Sequence, residues 1–137
     1  LFGGGICLAR AFVASGLSAQ VGDALTSVAT LPVYLMMMLL ALAVTFLTEA
    51  TSNTATTALL LPVLAAVAVA VELDPLWLMV PAAMSASCAF MLPVATAPNA
   101  VVFGSGELPI QRMVREGFVL NLIGAVVIAT VAWGMLT

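Results

Sequence analysis

Apolar residues run along the chain in long blocks separated by brief polar clusters, and stretches without a charged residue cover 24–48, 50–71, 75–106 and 117–137. Blocks of this length exceed what one aqueous core could bury, so lipid must be part of the solvent. Residues 1–14 read as the end of a membrane helix, with Gly3, Gly4 and Gly5 permitting close helix contact and Arg10 closing the apolar part. Over 15–30, Leu17, Val21, Leu25 and Val28 share one helical face while Ser18, Gln20, Asp23 and Ser27 lie elsewhere. That spacing predicts an amphipathic helix lying in the membrane interface.

The run from Val33 to Leu47 has 15 residues and extends about 22 Å at 1.5 Å per residue, short of a bilayer core of about 30 Å. A dense polar cluster from Thr48 to Thr54 follows, and then a second short run from Ala58 to Val71. Two short apolar helices around a polar tip predict a re-entrant hairpin over 32–71. A turn at that depth is tolerated only where it is buried in protein or faces a water-filled cavity, so the polar tip implies a cavity. The alternative is two ordinary spanning helices, 24–48 and 55–71, joined by a surface loop, because about 17 residues suffice to cross.

A charged turn at 71–75 leads into helical composition from Leu76 to Leu92, with Ala83, Ser85, Ala86, Ser87 and Ala89 small enough for tight packing. Pro93 and Pro98 then break the pattern, each removing a backbone donor and restricting the residue before it. Apolar sequence resumes at Ala100, so 75–106 reads as one helix unwound in its middle. A polar return loop is expected over 104–116, and 117–137 reads as a plain spanning helix. The fold class is an all-α polytopic membrane protein. Since Leu1 already sits in an apolar, Gly-rich segment, the chain is expected to be a fragment of a longer protein.

Composition narrows the chemistry. The chain is 64% hydrophobic and 7% charged, with a mean hydropathy of +1.28. Its three positive charges, Arg10, Arg112 and Arg115, form no patch that could neutralise a row of phosphates, so nucleic acid is not an expected partner. The absence of histidine removes Ser-His and Cys-His nucleophilic pairs and the usual imidazole ligands of zinc. Gly104-Ser105-Gly106 has no activating base and reads as a turn, Cys7 and Cys88 read as apolar filler, and the methionines, Met36 to Met38 among them, as gap-filling or lipid-facing. No enzymatic activity is expected.

Two polar interruptions at membrane depth, one at a hairpin tip and one in a broken helix, form the constellation by which secondary transporters hold ions. Freed carbonyls take a cation, and freed N–H groups and hydroxyls take an anion. Ser52-Asn53-Thr54 can ligate without carrying fixed charge, although the same residue types also cap helices. Glu49 is the only acid inside the hairpin and has two readings: an intramembrane functional group, or a structural group fixing the tip through hydrogen bonds.

The stretch 86–102 (ASCAFMLPVATAPNAVV) resembles, at every defined position, the sodium:sulfate and dicarboxylate symporter signature of the divalent anion:sodium symporter family. Ser52-Asn53-Thr54 is similar to that family's Ser-Asn-Thr motif, and the likeness extends from the Leu1-Phe2-Gly3-Gly4-Gly5 opening to the last helix. The resemblance implies one of two inverted repeats, each with a re-entrant hairpin and an unwound helix, this chain being the second and the first repeat of the parent chain being absent. It further implies that Ser52, Asn53, Thr54 and Thr96 contact a carboxylate or sulfate. Sodium is implied between tip and loop, held by Asn53 and the main-chain oxygens of Thr48, Thr51 and Ala95. Thr51 stands where another family member carries alanine, and Ala97 where many carry a first of two prolines, a change that relaxes the loop and leaves the substrate open.

The function expected on these grounds is sodium-coupled symport of a small divalent anion by alternating access, in a multi-pass protein of the plasma membrane that forms a homodimer in the lipid bilayer. Two readings stand beside it. One is a sodium-independent exchanger or oxyanion efflux permease on the same scaffold, and the other is a passive pore, which should show a ring of charges or a continuous polar stripe. Arg112 and Arg115 place 108–116 in the cytoplasm by the positive-inside rule, with the hairpin mouth outside.

Overall fold

The computed structural model describes residues 32–137 together with residues 7, 10, 11 and 13–16. Cys7, Arg10, Ala11, Val13 and Ala14 are helical, and Gly16 takes a positive φ of 74°. The remainder of the helix end at 1–14 and nearly all of the interfacial helix expected at 15–30 lie outside the described residues. From residue 32 onward the elements are α1 (Val33–Ala50), α2 (Asn53–Ala70), α3 (Leu76–Ser85), α4 (Ala97–Gly104) and α5 (Ile110–Leu136). Among the described residues, α1, α2 and α5 are long and apolar enough to cross a membrane.

α1 is central because it has apolar positions on three sides. Along α5 it packs antiparallel: Met37 meets Ala129 and Ala132, and Ala41 meets Ala125 and Ile128. The alanines let the two backbones approach closely, which is how helices gain packing energy where lipid is as apolar as the side chains. Val44 clusters with Ala82 and Ala86, and Leu60, Leu61 and Leu64 of α2 pack against that cluster. Val67, Ala68 and Leu78 close the contact between α2 and α3.

Tyr34, Trp77 and Trp133 gather at the end where α1 and α3 begin and α5 finishes, with ring centroids 6.1 Å apart for Tyr34 and Trp133 and 5.4 Å for the two tryptophans. Amphipathic rings of this kind mark a membrane–water boundary. On the far side of α5, Phe118, Leu122, Ile123, Val126 and Val127 are exposed, a face suited to lipid or to the rest of a larger protein.

Three boundaries differ from the sequence-based expectation. α1 continues through Thr48, Glu49 and Ala50, so α1 and α2 each have 18 residues, about 27 Å, and length alone does not distinguish a re-entrant hairpin from two spans. The helix expected over 76–92 ends at Ser85. The ring of Pro93 obstructs the carbonyl four residues earlier, and the N–H groups of Phe90, Met91 and Leu92 bond to the Glu49 side chain instead of to a helix. Pro98, by contrast, breaks nothing: it occupies the first turn of α4, where its missing N–H has no helical partner to lose.

The return loop expected at 104–116 shrinks to 105–109, and the last helix begins at Ile110 rather than 117. Met113 is buried one turn before Gly117 while Arg112 and Arg115 stay exposed, so these polar residues extend an amphipathic face rather than a loop.

Candidate functional site

At the hairpin tip the chain turns within Thr51 and Ser52. α1 ends on Ala50, so carbonyls of its last turn run out of helical N–H partners, and α2 opens with N–H groups that have no helical acceptor. Ser52 is the N-cap residue of α2, yet its hydroxyl makes no capping bond; only its carbonyl is engaged, accepting from the Thr56 N–H at 2.8 Å. A carbonyl-rich helix end therefore adjoins an N–H-rich one. The first attracts a cation and the second an anion.

The interrupted helix is organised by one carboxylate. Glu49 is buried, 4% exposed. Its Oε1 accepts from the Phe90 N–H at 2.7 Å, the Met91 N–H at 2.8 Å and Asn121 Nδ2 at 2.7 Å, and its Oε2 accepts from the Leu92 N–H at 3.0 Å. Four donors satisfy the charge, and the expensive N–H groups of a broken helix are satisfied in return. Of the two readings of Glu49, the geometry carries the structural one.

Asn99 completes the break from its other end: its Nδ2 donates to the carbonyls of Ala89 at 2.8 Å and Leu92 at 3.0 Å. Thr96 caps α4, its hydroxyl accepting from the Asn99 N–H at 3.3 Å. Its own proton remains available to a ligand.

Tip and break meet at a cavity of about 560 Å³ lined by residues 49–54 and 94–97. The structure thus gathers Thr51, Ser52, Asn53, Thr54, Ala95 and Thr96 around one space. A smaller cavity of about 260 Å³ adjoins it, lined by Asn53, Thr54, Thr57, Ala58 and Ser87.

Thr48 does not line the larger cavity. It is fully buried behind the tip, its hydroxyl 2.6 Å from Asn53 Oδ1 and 2.9 Å from the Ala86 carbonyl, so its side chain ties Asn53 to the start of the break. The Thr51 hydroxyl lies 2.9 Å from the Leu47 carbonyl and 2.6 Å from the Thr56 hydroxyl. That leaves its main chain as the part able to serve the cavity, consistent with a position where the side chain matters little.

Asn99, Asn121 and Gly117 are the residues that sequence reasoning assigned no role. Asn99 lies inside the signature stretch without a reason attached to it. Asn121 carried a readable signal, being the sole amide in the apolar run 117–137, and an isolated polar group in such a run has a partner to find. Gly117 has no room for a side chain: a Cβ there would fall against the Phe90 carbonyl, 2.6 Å from its carbon, and 2.7 Å from Met91 Cα.

An apolar helical unit that concentrates its polar groups where two backbones are interrupted, and brings both interruptions to one cavity, is part of an integral, multi-pass membrane protein. Residues 1–137 match the family model for the sodium:sulfate symporter transmembrane region, and the chain belongs to that family. It is 48% identical over 133 residues to the sodium-dependent dicarboxylate transporter SdcS of Staphylococcus saprophyticus, covering 97% of this chain and 26% of that protein. It is 47% identical over 137 residues to solute carrier family 13 member 2 of Homo sapiens, covering 98% of this chain and 23% of that protein. The chain spans about a quarter of the length of the relatives it matches.

Proposed function

We propose that this chain forms one half of the binding site of a sodium-coupled symporter for divalent anions, the class being di- or tricarboxylates such as succinate or citrate, or sulfate. Ser52, Asn53, Thr54 and Thr96 present hydroxyl and amide donors to the anion. Sodium sits between tip and loop on Asn53 and the main-chain oxygens of Thr48, Thr51 and Ala95, an all-oxygen, neutral ligand set that suits a hard monovalent ion able to leave again. The rest of the parent chain supplies an inverted repeat with the other half of the site, and the two work by alternating access in a plasma-membrane homodimer. The re-entrant reading of the hairpin rests on depth: α3 has 10 residues, so it reaches only about 15 Å from the aromatic end, half of a core of about 30 Å, before the break that the tip adjoins.

The observation that carries sodium coupling is the charge of the cavity. Among the described residues, which include all three arginines, no arginine lines it, and the one ionisable lining residue is the acid Glu49. A divalent anion brought to this half of the site meets no fixed positive charge, and a low-dielectric setting makes uncompensated charge costly. Bound sodium supplies the compensation, which favours symport over sodium-independent exchange.

The test is uptake of labelled succinate and sulfate by the full-length parent in proteoliposomes under a sodium gradient, a lithium gradient or none. Uptake is expected with sodium alone. Asn53→Ala is expected to abolish it with membrane insertion nearly intact, because Thr48 keeps the Ala86 carbonyl as a partner. Wild-type sodium dependence in that variant removes Asn53 from the site, and uptake that ignores sodium selects the exchanger.

A further inference from the structure

The last helix reaches the cavity only through intermediaries, yet two of its residues touch the break directly. Asn121, fully buried, lies one turn after Gly117 on the same face of α5. Its Nδ2 donates to Glu49 Oε1 at 2.7 Å, and the acceptor-only carboxylate dictates that orientation of the amide. In this pose Asn121 Oδ1 is buried without a partner, as is the hydroxyl of Thr45. Thr45 stands across from Asn121 in the register set by Met37 with Ala129 and Ala41 with Ala125. The amide thus occupies a site where an apolar side chain would bury more cleanly.

We propose that Asn121 is a positioning residue for the cation loop: it holds the Glu49 carboxylate in the pose that fixes the main chain leading to Ala95. This rests on the reading above, that sodium binds between tip and loop. The connection is continuous. Glu49 fixes the N–H groups of Phe90, Met91 and Leu92. The Leu92 carbonyl then accepts from the Ala95 N–H at 3.1 Å and from Asn99 Nδ2 at 3.0 Å, so the residue whose carbonyl is the proposed sodium ligand is anchored at its own N–H through Leu92. Gly117 supports the same arrangement independently, because only a glycine lets the α5 backbone lie against Phe90 and Met91. Asn121 itself is absent from the cavity lining, so it acts on the site through Glu49.

Groups that orient a metal's ligands from outside typically change its affinity by roughly 10–100-fold when removed. In the full-length parent in proteoliposomes, Asn121→Leu, which keeps the branched shape and removes the donor, should raise the sodium concentration for half-maximal succinate uptake about 10-fold. The succinate KM at saturating sodium should stay within about twofold, because the anion donors are untouched. Asn121→Ser, smaller but with a hydroxyl, should fall between. In a Glu49→Gln background the Asn121→Leu change should add little, since both act through one carboxylate.

Normal sodium half-saturation in Asn121→Leu overturns the proposal, as does full additivity with Glu49→Gln. Failure of both Asn121→Leu and Asn121→Ser to reach the membrane folded also overturns it, since the amide is then a folding requirement. Asn53→Ala separates the two layers of the argument. If it keeps normal sodium dependence the site reading fails, whereas an inserted Asn53→Ala without uptake beside unaffected Asn121 variants sinks this inference alone.

Discussion

The two interruptions that meet at the cavity are built in opposite ways. The hairpin tip is short and open: Ser52 makes no capping bond, and Thr51, Ser52 and Thr54 are exposed. The break between α3 and α4 is long and closed on itself, with its N–H groups on Glu49, two of its carbonyls on Asn99 and its far end capped by Thr96. One half of the cavity is therefore closed by bonds that reach across the fold, and the other is an exposed turn whose bonds are local and whose Ser52 hydroxyl caps nothing. A site built this way concentrates its rigidity where geometry must be held and leaves the cost of ordering to be met by the ligand.

The largest effect expected from this contrast is at Glu49. Replacing it by alanine strands three backbone N–H groups and the Asn121 amide, and each buried donor without a partner costs about 1–3 kcal/mol. Their sum is comparable to a whole domain's stability of about 5–15 kcal/mol. Glu49→Ala in the full-length parent should not yield a monodisperse, folded transporter on size-exclusion chromatography. Ser52→Ala, at the open tip, should leave thermal stability within about 0.5 kcal/mol of wild type while transport falls. Equal stability losses at the two positions would erase the distinction between tip and break.

Asn99 gives the intermediate case. Asn99→Leu keeps the branched shape and leaves the carbonyls of Ala89 and Leu92 without their amide, a loss of about 1–3 kcal/mol. The transporter should fold with a lowered thermal midpoint, and added sodium should recover part of the loss, because a ligand that binds only the native site stabilises it by mass action. An Asn99→Leu protein with an unshifted midpoint shows that the break does not depend on closing upon itself.

The helices and the polar tip were legible in the sequence because their causes are local: apolar runs set α1, α2 and α5, and Pro93 announces an interruption. The start of the break at Ala86 was not legible, because the group that takes its N–H bonds, Glu49, is some 40 residues away in sequence and the competition between it and a helix is tertiary. For the same reason 117–137 read as a plain span. Periodicity reveals that Asn121 lies on one face with Gly117 and Ala125, but not that a carboxylate faces it. The extension of α5 back to Ile110 was hidden by composition, since polar residues at 111–116 look like loop until Met113 is seen to be buried. Motif resemblance supplied the residues lining the cavity, Ser52 to Thr54 and Thr96, while what Glu49, Asn99 and Asn121 bond to depends on packing that no local pattern reveals.

Thr96 sits on the boundary between the two kinds of interruption and gives the smallest effect. Its backbone belongs to the closed break, where its hydroxyl accepts from the Asn99 N–H at a long 3.3 Å, while the same hydroxyl's proton can reach the cavity it lines. Thr96→Val keeps the shape and removes both functions. The cap bond is long, so its loss should cost stability near the lower end of about 0.5–2 kcal/mol. A hydrogen bond to a charged group contributes about 1.5–3 kcal/mol, so the anion should bind at least about 10-fold more weakly. Sodium binding without anion should be nearly unchanged, because the carbonyl proposed as its ligand on this side is that of Ala95, which valine at 96 leaves in place. Calorimetry on the purified parent, titrating succinate at saturating sodium and sodium without succinate, separates these quantities, and Thr96→Ser should restore the anion affinity. If Thr96→Val loses stability yet binds succinate as wild type does, Thr96 is a cap only. The anion donors on this side of the cavity then belong entirely to the open tip.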